Sequence, residues 1–223
     1  MQITEKIQRY LMETYAPRAI LLYGSFADGS YNENSDFDAL VLSDREKTHD
    51  CSVIAGTVLD VFVYPADYFQ GEYDPEEFLQ VFDGKILLDV DGTAARLQKR
   101  VRDTIANTPP KTQEELSQAL AWCEKMLMRT QRADAEGDFR WHWLLTESLE
   151  IYCDLQGWYF FGPKKALRRM EQEDTESFQI YKEALCGMMQ ERLMQWVHCL
   201  REHYQNRFEG FTEKSKIEEE LEP

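Results

Sequence analysis

Two short stretches hold the residues best suited to chemistry: Tyr23-Gly24-Ser25-Phe26-Ala27-Asp28-Gly29-Ser30, and Ser35-Asp36-Phe37-Asp38-Ala39-Leu40-Val41. The first sets a Gly-Ser turn after an apolar strand; the second sets an Asp-x-Asp pair on the next strand. Residues two apart in a strand share a face, so Asp36 and Asp38 are expected to point into one space. Two carboxylates there repel each other unless a cation lies between them, and oxygen-rich arms suit Mg²⁺. The Gly24-Ser25 turn offers backbone N–H groups and a hydroxyl, which suit the oxyanions of a phosphate chain.

A third acid stands out in Thr57-Val58-Leu59-Asp60-Val61-Phe62-Val63-Tyr64. A carboxylate among β-branched and aromatic neighbours is costly to desolvate unless it is paired or metal-bound. If its strand lies beside the Asp36–Asp38 strand, the three acids can hold two divalent ions about 3.5–4 Å apart, the arrangement used for in-line phosphoryl displacement. The alternative for Asp60 is a solvated position on an edge strand.

The elements that must carry these residues follow from hydrophobic period. Before Asn107-Thr108-Pro109-Pro110-Lys111 the elements alternate. Ile3, Ile7, Tyr10 and Leu11 form a helix stripe; 19–23, 37–42, 58–64 and 85–88 read as strands; 94–105 returns to helical spacing. After the prolines, 113–135, 139–156, 163–171 and 176–203 read as helices separated by short breaks. The expected fold class is α+β: a small mixed-sheet domain over 1–107, an all-α helical bundle over 111–212, and a charged tail over 213–223.

Composition narrows the partners. Asp+Glu 41 against Lys+Arg 25 leaves a formal charge of −16, which repels DNA and RNA over most of the surface, so a nucleic-acid binder is disfavoured. A small or cationic acceptor is easier to accommodate. The five cysteines, Cys51, Cys123, Cys153, Cys186 and Cys199, form no Cys-x-x-Cys pair; they read as buried thiols of a reducing, cytoplasmic protein. No apolar run approaches the roughly 20 residues needed to cross a membrane, and the first residues show no apolar signal segment.

Gly24-Ser25, Asp36-x-Asp38 and Asp60 on a later strand resemble the nucleotidyltransferase superfamily of DNA polymerase β. The layout is most similar to the kanamycin nucleotidyltransferase group, with a helix after Asp91-Gly92 and a helical C-terminal domain. The resemblance implies a nucleotidyltransferase domain that transfers a nucleoside monophosphate, usually AMP, from ATP or another NTP to a hydroxyl, with pyrophosphate leaving. It implies that Gly24 and Ser25 hold the phosphates, that Asp36 and Asp38 ligate two Mg²⁺ ions, and that Asp60 completes the set or assists proton removal. Asp28 stands where many relatives carry Arg, which removes a phosphate contact. Relatives in the aminoglycoside group use a carboxylate of the first C-terminal helix as general base, and Glu124 is the nearest positional match. Ser35, and Arg129 with its helix neighbours Lys125 and Arg132, are further candidates for the nucleotide. The same resemblance allows a homodimer with both chains lining a cleft site between the two domains.

Other residues keep two readings open. Glu124 is either the base or an ordinary exposed acid. Phe139-Arg140-Trp141-His142-Trp143 and Trp158-Tyr159-Phe160-Phe161 are either core or an acceptor pocket, with His142 a satisfied interior histidine. Glu147 and Glu150 either bind a cationic acceptor or lie on a solvated stripe. Arg192 and His198 have the spacing of a ribonuclease pair. Transfer to a protein side chain and a non-catalytic nucleotide sensor complete the alternatives.

Overall fold

The computed structural model describes residues 3–132 and 134–208. The chain divides into two compact units, Met1–Thr108 and Pro109–Pro223. The charged tail expected over 213–223 lies outside the described residues.

The first unit is built on a mixed sheet. Its elements are α1 (Ile3–Tyr15), β1 (Ala19–Leu22), α2 (Gly24–Asp28), β2 (Phe37–Ser43), β3 (Thr48–Asp50), β4 (Val53–Ile54), β5 (Thr57–Pro65), β6 (Lys85–Asp89) and α3 (Thr93–Asn107). The strand order is β3-β5-β2-β1-β6, with β4 also pairing β5. β2 and β5 run parallel and the other pairs antiparallel.

Alternation assigns the two faces. Ile20, Leu22, Ala39, Val41, Val61 and Val63 pack with Ile7 and Leu11 of α1. Ala19, Leu21, Leu40, Leu42 and Tyr64 pack with Ala94, Leu97 and Val101 of α3 and with Phe78 and Val81. Both faces are covered, which is why β1 and β2 read as continuous apolar runs. Asp38 and Asp60 have the parity of Leu40 and Tyr64, so they stand on the α3 face, near the starts of their strands.

β3 and β4, three and two residues long, are too short to show a period. The Ala55-Gly56 turn between β4 and β5 has positive φ at both residues (54° and 87°), the two-residue geometry that fits a twisted hairpin. β3 is pinned by Asp50, a buried acid that accepts from Tyr15 Oη at 2.8 Å, Tyr10 Oη at 3.1 Å and the Ser52 N–H at 2.9 Å. Of the five thiols, Cys51 and Cys186 are exposed and not buried as the sequence suggested. Burial pushes Cys123 and Cys153 up to about 12 and Cys199 up to about 11.

The second unit holds α4 (Gln113–Arg129), α5 (Ala135–Gln156), α6 (Pro163–Glu173), α7 (Thr175–Leu185) and α8 (Gln190–Phe208). α4 starts in a reciprocal capping box between Thr112 and Glu115, and α5 starts on the side chain of Asp134, which accepts from the Gly137 N–H. The expected single helix over 176–203 is two helices. Gly187, a weak helix former, sits in the break between them. Trp141, Leu144, Leu145 and Ser148 define the inward face of α5, which leaves Phe139, His142 and Trp143 outside. The expected interior His142 is therefore exposed, and the aromatic run divides between core and surface.

Polar groups in this core are paired. Trp196 Nε1–H donates to Ser148 Oγ at 2.8 Å and Tyr181 Oη to the Leu145 carbonyl at 2.7 Å. Asp174 caps α7 by accepting from the Ser177 N–H at 3.1 Å and also accepts from Tyr152 Oη at 2.7 Å, with His203 Nε2 at 3.3 Å. Burial pushes the Asp174 carboxyl up, but hydrogen bonds from Ser177 and Tyr152 and the nearby His203 together hold it below the ordinary carboxylate range.

A depressed folded-state pKa stabilises the fold above the unfolded value and is lost as pH falls through the folded one. Asp174→Ala should cost about 2–3 kcal/mol at neutral pH, roughly 1 from the cap and the rest from the lost hydrogen bond to Tyr152. The gap to the parent should close as pH is lowered through the carboxylate range. All five tryptophans lie in this unit, so urea unfolding followed by their fluorescence reads the effect directly.

Candidate metal and nucleotide site

The site begins where β1 ends. The Tyr23 N–H donates to the Asp38 carbonyl at 3.0 Å, which lays the end of β1 against β2. Gly24 follows with φ +66°, a conformation that side chains resist. A Cβ on Gly24 would lie 2.1 Å from Asp38 Oδ2 and 2.8 Å from Asp38 Cγ. The glycine thus serves two needs at one position: the left-handed backbone and the space that Asp38 fills. α2 then closes at Gly29, whose N–H donates to the Ser25 carbonyl at 2.9 Å. Ser25 is buried.

The loop to β2 is held by its own contacts. Phe26 stacks on Tyr31 (centroids 4.3 Å apart, 7° between planes) and meets Phe37 at 5.2 Å. Ser35 Oγ accepts from the Asn32 N–H at 3.0 Å, so that hydroxyl has a structural partner in its own turn. Asp28 accepts from the Ser30 N–H at 2.8 Å. Asp36 lies one residue before β2, not within it.

The parallel register between β2 and β5 places Asp38 opposite Asp60. Carboxylate oxygens of Asp36, Asp38 and Asp60 all lie within 4.8 Å of one another. β5 has neighbours on both sides, so the edge-strand alternative for Asp60 does not hold. Tyr23 faces the same cluster: burial, then the charges of Asp60 and Asp38, with further contributions from Tyr64 and Asp36, hold its phenol above the ordinary range and therefore neutral. Three convergent carboxylates with no nitrogen or sulfur among them are a hard-oxygen donor set, which fits Mg²⁺ or Mn²⁺.

One residue beside this cluster was missed in the sequence. His49 Nε2 lies 2.6 Å from Asp60 Oδ1, and its ring stacks on Phe62 at 4.3 Å and 5°. The available signal was the Ala55-Gly56 hairpin, which folds the 48–54 segment back along β5.

The remaining candidates belong to the helical unit. The Glu124 carboxylate accepts from Arg201 Nε at 3.1 Å in an ion pair, so a base role there requires release from Arg201. Arg129 and Lys125 are exposed on α4, while Arg132 is paired with Asp134 at 2.9 Å and Glu136 at 2.8 Å. Arg192 is bound to Glu183 and His198 to Glu202.

Residues 5–91 match the family model described as "Polymerase beta, Nucleotidyltransferase". The match is to a nucleotidyltransferase domain. It runs from α1 to the residues after β6, and it contains Gly24, Asp36, Asp38, Asp60 and His49. Among solved structures, a nucleotidyltransferase-like protein from Exiguobacterium sibiricum 255-15 is similar at a TM-score of 0.41 and 14% identity, over 92% of this chain and 74% of that one. No curated protein matches the chain.

Gly24 and Gly29 provide a matched test, because both have positive φ but a Cβ on Gly29 meets nothing within 4 Å. Gly24→Ala and Gly29→Ala should each lose about 1–2 kcal/mol of stability from the left-handed backbone. Only Gly24→Ala should displace Asp38, lowering Mn²⁺ affinity about 10-fold or more. Mn²⁺ titration and urea unfolding of the two variants separate the two effects.

Proposed function

We propose that the chain is a Mg²⁺-dependent nucleotidyltransferase that moves a nucleoside monophosphate, AMP in the first instance, from an NTP to a hydroxyl of a small-molecule acceptor. The convergence of Asp36, Asp38 and Asp60 within 4.8 Å carries this reading, and the match of residues 5–91 supports it. Asp36, Asp38 and Asp60 would hold two Mg²⁺ ions. Bound there, the metal supplies charge neutralisation for the triphosphate and a lowered pKa for the attacking hydroxyl.

The rest is done by the chain. The turn at Gly24 and Ser25 receives the phosphates. The acceptor oxygen forms a bond to the α-phosphorus as the bond to the bridging oxygen breaks; pyrophosphate leaves, and the hydroxyl proton passes to a base, for which Asp60 and Glu124 are the candidates.

A cavity of about 500 Å³ in the helical unit is lined by Glu115, Trp122, Glu147, Glu150 and Asp154, with Lys111 as a cation among them. Burial raises the Asp154 carboxyl above its ordinary range, against the opposing charge of Lys111. One tryptophan among four carboxyl groups suits a hydroxylated amine, and the kanamycin group supplies the narrower form of the proposal, an aminoglycoside-like antibiotic. A formal charge of −16 disfavours a nucleic-acid acceptor. A cytoplasmic setting and a homodimer complete the proposal. No described helix is long and apolar enough to cross a membrane.

The decisive assay is pyrophosphate release by purified protein with Mg²⁺, each of the four nucleoside triphosphates, and a panel of hydroxylated amines. Release should require an acceptor, and Asp38→Asn should lower it at least about 100-fold without unfolding the protein, since metal charge is removed but little volume. Full activity in that variant rejects the metal assignment. Labelled AMP appearing on a polypeptide instead selects the protein-modifying alternative.

A further inference from the structure

We propose that His49 is a positioning residue for the metal cluster: it fixes the Asp60 carboxylate so that it converges with Asp36 and Asp38. The inference rests on the reading of those acids as metal ligands. An ionised carboxylate only accepts hydrogen bonds, so the 2.6 Å contact has His49 Nε2–H donating to Asp60 Oδ1. One hydrogen bond leaves the other lone-pair positions of Asp60 free for a cation.

His49 is itself held in place. It pairs in register with Phe62 and stacks on that ring. Phe62 is two residues beyond Asp60 on the same face of β5, so the ring that carries the imidazole and the carboxylate it binds move as one. Cys51 Sγ also lies beside the ring, 3.5 Å from Nδ1 and 3.6 Å from Nε2. The strand beneath is fixed by its next residue, since Asp50 is bound to Tyr10 and Tyr15 of α1.

Magnitudes separate this role from a purely structural one. The His49 and Asp60 side chains are 44% and 36% exposed, and pairs of that kind contribute at most about 1 kcal/mol to stability. Hydrogen bonds to metal ligands, by contrast, change metal affinity or activity roughly 10–100-fold when removed. The contact is therefore expected to matter for where Asp60 points and little for whether the domain folds.

The test is Mn²⁺ binding to the full chain, measured by titration at one fixed pH for all variants. His49→Ala should bind Mn²⁺ about 10-fold more weakly or worse, with an unfolding midpoint close to the parent's. His49→Gln, whose amide nitrogen can replace Nε2 as donor, should recover most of the loss. Asp38→Asn is measured beside them. Unchanged Mn²⁺ affinity in His49→Ala, with the loss present in Asp38→Asn, overturns the positioning role and leaves the metal site standing. Equal losses in His49→Ala and His49→Gln also overturn it, because the donated hydrogen bond is then not the cause. Unchanged affinity in Asp38→Asn instead removes the metal site itself. Should His49→Ala fold poorly, the comparison of His49→Gln with the parent decides: near-parental binding is expected, and a full loss rejects the role.

Discussion

Like charges in a small space set the terms for the first unit. Two unit charges 4 Å apart near a protein surface repel by about 4 kcal/mol, and three carboxylates here share a radius of that order. Nothing in the local preference of Asp favours this. The parallel register of β2 and β5 imposes it by putting Asp38 across from Asp60, and the absence of a side chain at Gly24 gives Asp38 the room. The sheet is covered on both faces, so the strands cannot shift register without moving an apolar row out of the core. The packing of Leu40, Leu42, Val61 and Val63 thus holds the three acids together, and a cluster of that kind suits a divalent cation.

How much of this was visible beforehand depends on the range of the interaction. Asp36, Asp38 and Gly24 announce themselves through local spacing, because a period of two and a Gly-Ser turn are properties of a few adjacent residues. Asp60 was marked by its contrast with apolar neighbours, although which strand lay beside it was an assumption. His49 left only the indirect trace of the Ala55-Gly56 turn: Thr48–Asp50 is three residues long and polar, and its place is decided by pairing with β5 and by tyrosines from α1. Glu124 shows the same limit in the helical unit. Its position on a helix was readable, whereas its partner Arg201 lies 77 residues away in sequence. The phase of α5 decided against an interior His142, since the core face runs through Trp141, Leu144, Leu145 and Ser148 and leaves its neighbour outside.

The helical unit solves a different problem. It buries tryptophan and tyrosine side chains whose polar tips need partners, and it supplies them from within: Ser148 for Trp196, the Leu145 carbonyl for Tyr181, and Asp174 for Tyr152. No buried side-chain nitrogen or oxygen among the described residues lacks a partner. Pairings of this sort fix helix rotation, because a slide of one helix by a turn would break several at once.

Consecutive residues of β3 engage opposite sides of the sheet, Asp50 through the tyrosines of α1 and His49 through Asp60. A strand of three residues then behaves as a lever. Loss of a hydroxyl from the outer helix would loosen the pivot, and the disturbance would arrive at the carboxylates on the far side. Tyr10 and Tyr15 of α1 would in this way reach an acidic cluster on the opposite face of the sheet.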